Sequence, residues 1–156
     1  MHTLRNLVGD DAFFRTVRMA VYGTENPRPG KLAPRYGTTR EFIAAASKAA
    51  GRDLGWFFQA YLYQAALPEL EAKRNGDQLE LAWKTATPFP MPVEVRVGKQ
   101  LVTVQMEGGK GSVAVPRDAS YTIDPHSKVL RRDVQIEQYQ EFMKAKAAKA
   151  KAKAAS

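Results

Sequence analysis

Apolar residues recur every three or four positions through the first 67 residues, and every second position after that. The first spacing marks one face of a helix and the second one face of a strand. Leu4, Leu7 and Val8 share a helical face that Gly9 interrupts. Asp10 is placed to cap a second helix, since its carboxylate can accept from a free amide of the first turn. Phe13, Phe14, Val17 and Val21 then continue at helical spacing to a stop at Gly23. Residues 23–37, GTENPRPGKLAPRYG, hold three Pro and little apolar content, which predicts an irregular surface loop over the scaffold. Thr38-Thr39-Arg40-Glu41 carries the capping-box pattern, and a helix follows through Phe42, Ile43, Ala46 and Ala50. Gly51 ends it, because glycine accepts the left-handed conformation common past a helix end. Asp53 is placed to cap a fourth helix bearing Leu54, Trp56, Phe57, Phe58, Tyr61 and Leu62, closed by Pro68.

Beyond Pro68 the period is two. Leu79 and Leu81 flank Glu80, and Val93, Val95 and Val97 alternate with Glu94 and Arg96. Leu101, Val102, Val104 and Met106, then Val113 and Val115, Tyr121 and Ile123, and Val129 and Leu130 form further short runs. Asn75-Gly76, Gly98-Lys99, Gly108-Gly109 and Asp124-Pro125 punctuate them. Short alternating runs between turn signals predict an antiparallel β-sandwich of about six or seven strands. The class is therefore α+β: a helical part over 1–67, a sandwich over 68–133, and a Lys/Ala-rich tail over 134–156. In that tail Ile136, Tyr139 and Phe142 can share one helical face, and the remainder has high helix propensity but no apolar stripe beyond alanine methyls.

Charge changes this picture less than its total suggests. The formal net charge is +8, but residues 144–156 carry five Lys and no acid, and removing those five leaves +3 on residues 1–143. The tail thus suffices for weak, salt-sensitive binding to polyanions, though it lacks aromatic residues for base stacking. Apolar residues make up 44% of the chain, enough for a packed core, and there is no cysteine for a disulfide or thiolate metal site. No run approaches the roughly 20 apolar residues of a membrane helix, so no membrane partner is expected. Met1 leads straight into a helical pattern without a signal-like leader, which predicts a chain that begins inside a larger structural element.

Catalytic chemistry is hard to place on these residues. A hydrolytic zinc site takes three protein ligands and a base for the bound water. This chain has two histidines, His2 and His126, and no HExxH. His126 falls in an Asp124-Pro125-His126-Ser127 turn and reads as a solvated turn residue, as does His2 beside the chain start. GxSxG and Walker patterns are absent, and Gly108-Gly109-Lys110-Gly111 reads as a hairpin turn. Trp56-Phe57-Phe58 is the densest aromatic run, more consistent with core than with a ligand platform. No catalytic, cofactor-binding or metal-binding residue is assigned.

One resemblance spans the stretch from His2 to Arg132. It runs through His2-Thr3-Leu4-Arg5, Leu7-Val8-Gly9-Asp10-Asp11-Ala12-Phe13-Phe14, Thr38-Thr39 with Phe42, Gly51-Arg52-Asp53-Leu54 and Trp56-Phe57-Phe58. It continues through Tyr61-Leu62-Tyr63, Leu67-Pro68-Glu69-Leu70, Phe89-Pro90-Met91-Pro92-Val93-Glu94-Val95 and Ile123-Asp124-Pro125. In order and spacing these pieces resemble the region just after the catalytic centre of the aminopeptidase-N-like zinc metallopeptidases. The Pro-rich loop is longer than that family's norm, and the Lys/Ala tail has no counterpart in it.

The resemblance implies that the helices close the family's catalytic lobe and that the strands form the sandwich after it. The family's zinc ligands, the two His of HExxH and a later Glu, together with its transition-state Tyr, would all lie upstream of Met1. It therefore implies the C-terminal portion of a zinc-dependent aminopeptidase that supports the active-site lobe and is inactive alone. Its partner would be the remainder of the catalytic domain, with peptides as the parent's substrate and zinc as the parent's metal. The alternatives are a non-catalytic protein-binding module and a polyanion-binding protein acting through the tail. The first reading predicts Leu4, Leu7, Phe13, Phe14 or Val17 partly bare where partners are missing. The tail over 144–156 is expected to be mobile.

Overall fold

The computed structural model describes residues 1–32 and 35–133, with residues 138, 139, 142, 143 and 146 of the tail. The expected mobility of the Lys/Ala segment concerns residues that, Lys146 apart, lie outside those described. Four helices come first: α1 (His2–Val8), α2 (Asp10–Tyr22), α3 (Thr39–Ala50) and α4 (Gly55–Leu62). Six strands follow: β1 (Glu69–Asn75), β2 (Gln78–Lys84), β3 (Val93–Val97), β4 (Gln100–Val104), β5 (Lys110–Ala114) and β6 (Tyr121–Ile123). The fold is α+β, helical first and stranded after.

The helix ends follow from local chemistry, with two departures from expectation. The Thr38 hydroxyl accepts from Glu41 N at 3.2 Å and the Glu41 carboxylate accepts from Thr38 N at 2.9 Å, the reciprocal box the sequence predicts. Gly23 (φ 70°) and Gly51 (φ 67°) end α2 and α3 in the left-handed conformation. Asp10, however, does not cap α2. Gly9 takes the cap position, and Asp10 instead accepts two bonds from the Arg5 guanidinium, each 2.8 Å. At α4 the cap position falls on Leu54, while the Asp53 carboxylate accepts from Gly55 N at 3.1 Å.

The strands form two antiparallel sheets, ordered β1-β2-β5 and β4-β3-β6. Leu79, Leu81 and Trp83 of β2, Val93 and Val95 of β3, Val104 and Val113 alternate into one core with Phe89, Met91, Met106 and Val115. Each such side chain removed from water stabilises the fold by about 1.5–3 kcal/mol. The Trp83 indole N–H is satisfied by Met91 O at 2.8 Å. Strand β1 lies at a sheet edge and reads Glu-Leu-Glu-Ala-Lys-Arg-Asn, exposed after Leu70. Charges on such an edge discourage pairing with another chain. Gly111 has a packing reason: a Cβ there would lie 2.6 Å from Gln105 O.

Val129 and Leu130 form no strand. Their backbone groups are taken by side chains rather than by a ladder. Leu130 N donates to the Thr3 hydroxyl at 3.0 Å, and Leu130 O accepts from the Tyr61 hydroxyl at 2.6 Å. Arg132 N then donates to Pro68 O at 2.8 Å, beside a single parallel bridge to Glu69. Residues 124–132 thus strap α1 and α4 to the sheets. The core agrees: Leu4, Leu54, Phe57 and Phe58 belong to the same buried cluster as Phe89 and Val95.

Candidate functional site

The two histidines occupy different settings. His126 sits beside the outward face of β3, where Glu94 and Arg96 alternate with the inward Val93, Val95 and Val97. The turn that carries it is built on Asp124 (φ 48°) and Ser127 (φ 52°), both left-handed. Asp124 is buried, and its carboxylate accepts from Lys128 N at 2.8 Å and Val129 N at 3.0 Å. Those two bonds hold a conformation that L residues otherwise disfavour. Asp124 N also donates to Glu94 O at 2.7 Å, which fixes the turn against β3.

The imidazole bridges two charged groups. Arg96 Nη2 lies 3.2 Å from His126 Nε2, and Glu94 Oε2 lies 3.2 Å from Nδ1. A guanidinium only donates, so Nε2 accepts and the proton sits on Nδ1, directed at Glu94. The Lys128 ammonium holds the other Glu94 oxygen. The Lys128 hydrogen bond, helped by the His126 contact, keeps the Glu94 carboxyl below its usual range against the opposing effect of burial. The arrangement is a cluster of one carboxylate and two cations with both imidazole nitrogens engaged. It is more structured than the solvated turn residue expected from sequence, and nothing local in DPHS signalled the partners on β3.

His2 lies in the first turn of α1, with its Nε2 3.1 Å from the Asn6 amide. It lines an open hollow of about 350 Å³ with Thr3, Asp124, Ser127, Leu130 and Asp133. The chain fold thus brings His2 near Asp124 and Ser127, which no sequence pattern predicted. That trio is not arranged for nucleophilic catalysis. Both Asp124 oxygens are engaged by backbone amides rather than by an imidazole. Among the described residues no three of His, Asp and Glu are grouped as metal donors, and no helix is long and apolar enough to cross a membrane.

The aromatic run is core. Phe57 and Phe58 are buried, and Trp56 meets Phe89 edge-on at 5.3 Å. Phe89 also contacts Trp83 and Tyr61, so these rings tie α4 to the sheets. Burial, with the Asp124 charge nearby, pushes the Tyr61 phenol upward, so it stays protonated and donates to Leu130 O. Gly108 and Gly109, both at positive φ, form a turn closed by Lys110 N to Glu107 O at 3.0 Å.

Part of the bare apolar surface lies on α2, as Phe14, Val21 and Tyr22, and part lies after it, as Leu62, Tyr63 and Leu67 among others. Leu4 is buried, Leu7, Phe13 and Val17 are half-buried, and Phe14 is 42% and Val21 54% exposed. The buried α2 residues are small, Ala12 and Thr16, and with Ala46 of α3 they allow close helix approach. At about 100° per residue, Phe14 and Val21 lie on the opposite side of α2.

No known family pattern and no curated protein sequence matches this chain. Among solved structures it is similar to a Legionella pneumophila aminopeptidase A, crystallised in complex with aspartic acid, with a TM-score of 0.53 and 16% identity. The match covers 78% of this chain and 15% of that one, so the chain spans a small part of the neighbour's length. At that identity the likeness is one of fold: this chain's helices and sheets follow an aminopeptidase-like arrangement.

Proposed function

We propose that this chain is the C-terminal portion of a zinc-dependent aminopeptidase, supporting the active-site lobe and inactive alone. The observation that carries the reading is the fold match to an aminopeptidase across 78% of the chain, from a neighbour that extends far beyond it. The order of sequence pieces from His2 to Arg132 supports the same reading independently. Among the described residues His126 is a poor ligand for a catalytic zinc: one of its nitrogens accepts from Arg96 and the other faces a Glu94 already held by Lys128. A ligand set would have to come from the rest of the longer protein, and this chain would buttress it.

The test begins with the coding sequence that precedes Met1. An in-frame HExxH followed by a later Glu is expected there. The chain alone should bind no stoichiometric zinc and leave chromogenic aminoacyl anilides intact. Joined to, or co-expressed with, the preceding segment it should hydrolyse them, and chelation should abolish that activity. One tightly bound zinc in the isolated chain, lost on His126→Ala, would overturn the reading. So would an upstream sequence that encodes no such motif, and the exposed α2 stripe would then favour a protein-binding module.

A further inference from the structure

Asn75-Gly76 lies at the tip of the β1–β2 hairpin, where Asn75 pairs with Gln78 and Gly76-Asp77 make the turn. Gly76 takes φ 60°, as the first central position of such two-residue turns requires. Asn75, Gly76 and Asp77 are all exposed, and nothing stands within 4 Å of where a Gly76 side chain would begin. Among the described residues no backbone acceptor takes the Gly76 N–H. A side-chain amide is thus followed by an open, uncrowded main-chain nitrogen. The other two asparagines lack this setting. Asn6 stands inside α1, with its amide donating to His2 O at 3.0 Å. Asn26 precedes Pro27, whose nitrogen carries no hydrogen.

The same turn is clamped. Arg74 Nε donates to Gly76 O at 3.3 Å, and its Nη2 donates to Val115 O, Pro116 O and Arg117 O at 3.2, 2.8 and 3.1 Å. Val115 N donates to Asp77 O at 2.7 Å, and Arg117 lies 3.5 Å from the Asp77 carboxylate. These bonds tie the hairpin tip to the segment after β5 and keep Asn75 in the ladder. Closing a ring between the Asn75 side chain and Gly76 N requires that ladder end to open. β1 is an edge strand, so only its pairing with β2 has to yield. We propose that Asn75 is a self-modifying site: in the folded chain its amide is displaced by Gly76 N, and the Arg74 clamp sets the rate. As Gly76 N bonds to Cγ, the Cγ–Nδ2 bond breaks, and the hydrogen given up by Gly76 N completes the departing ammonia. The succinimide ring that remains is opened by water at either carbonyl. Attack at Cγ gives aspartate, and attack at the main-chain carbonyl gives isoaspartate. The aspartate product places a carboxylate beside Glu80, whose Oε1 is 3.4 Å from Asn75 Nδ2. Isoaspartate adds one atom to the β1 backbone and breaks the pairing with Gln78. The inference does not depend on the aminopeptidase reading.

Peptide mass mapping of the full chain during incubation at neutral pH tests it, with fragmentation to tell aspartate from isoaspartate. The mass gain of exchanging NH2 for OH is expected at Asn75 and not at Asn6 or Asn26. Arg74→Gln should convert about fivefold faster, the factor for losing one net hydrogen bond of the clamp. Arg74→Lys keeps the charge but loses the planar fork, and should fall between the two. In urea that unfolds all three chains the rates should be equal, which separates the clamp from any effect of the neighbouring side chain on the chemistry. Asn75→Gln, which cannot close a five-membered ring, should stay unmodified. The proposal fails if the native chain keeps Asn75 intact over a period in which the urea-unfolded chain converts. It also fails if the native parent and both Arg74 variants convert at one rate, or if Asn6 or Asn26 converts as fast as Asn75.

Discussion

Glu94 shows how much a single position depends on what the fold brings to it. In sequence it is a polar residue alternating with valines. In the structure it faces Lys128 and His126 from a turn more than 30 residues away, and its side chain is only 17% exposed. Its carboxyl is held below the ordinary value of 4.5, chiefly by the Lys128 hydrogen bond. A carboxyl lowered in the folded state adds stability that is complete above its unfolded pKa. That stability is lost as pH falls from about 4.5 through the folded value. Glu94→Gln should therefore cost about 1 kcal/mol at neutral pH, the scale of a partly screened charged hydrogen bond. The difference from the parent should shrink on acidification below pH 4.5. Urea melts from pH 7 down to pH 3 measure it, and a constant difference across that range would deny the pair its role.

The strands are joined by ladders, while the helices meet the sheets through a shared core and one strap. Helix α3 starts at the expected capping box, the first three helices stop at the expected glycines, and β2 and β3 alternate as read, because those signals act within a few residues. The segment 124–132 behaves otherwise. The Asp124 carboxylate holds the segment's two left-handed residues by local bonds, but the Asp124 N–H bond to Glu94 O and the capture of Leu130 by Thr3 and Tyr61 involve partners distant in sequence. An apolar pair at Val129-Leu130 looks like a strand, and only the competing side-chain bonds make it something else. Tyr61→Phe should remove the bond to Leu130 O at a cost of about 1 kcal/mol. Thr3→Val should cost more, about 1–3 kcal/mol, because it leaves the half-buried Leu130 amide unpaired. Hydrogen exchange at that amide should quicken most in Thr3→Val. Unchanged exchange in both variants would mean the strap is held by packing alone.

For the molecule as a whole, charge and fold separate cleanly. Five of the eight net positive charges lie in residues 144–156. Counterion release makes binding by such a segment weak and steeply salt-dependent. Deleting 144–156 should abolish retention on heparin while shifting the melting temperature by no more than about 1 °C, since a Lys/Ala sequence offers little apolar area to bury. Retention that survives the deletion would place a basic site on the folded body instead.

The sequence by itself determined the class of the fold, the stops of the first three helices, the alternation of β2 and β3 and the small number of histidines. Each of these is written in local spacing or in a residue count. The fourth helix ends at Leu62, ahead of the expected Pro68. It also identified Trp56-Phe57-Phe58 as core, because a dense aromatic run on a helix has few other stable places. Only the tertiary structure decided the strand order, the partners of His126 and the role of Asp124. It also decided which side of α2 is buried. Phe14, Val17 and Val21 recur at helical spacing, yet the interior is filled from the opposite side by Ala12 and Thr16. Periodicity records that a helix has an apolar face. Which face meets the core depends on how closely the neighbouring helix can approach, and that is settled by small residues on α2 and α3 that lie far apart in the chain.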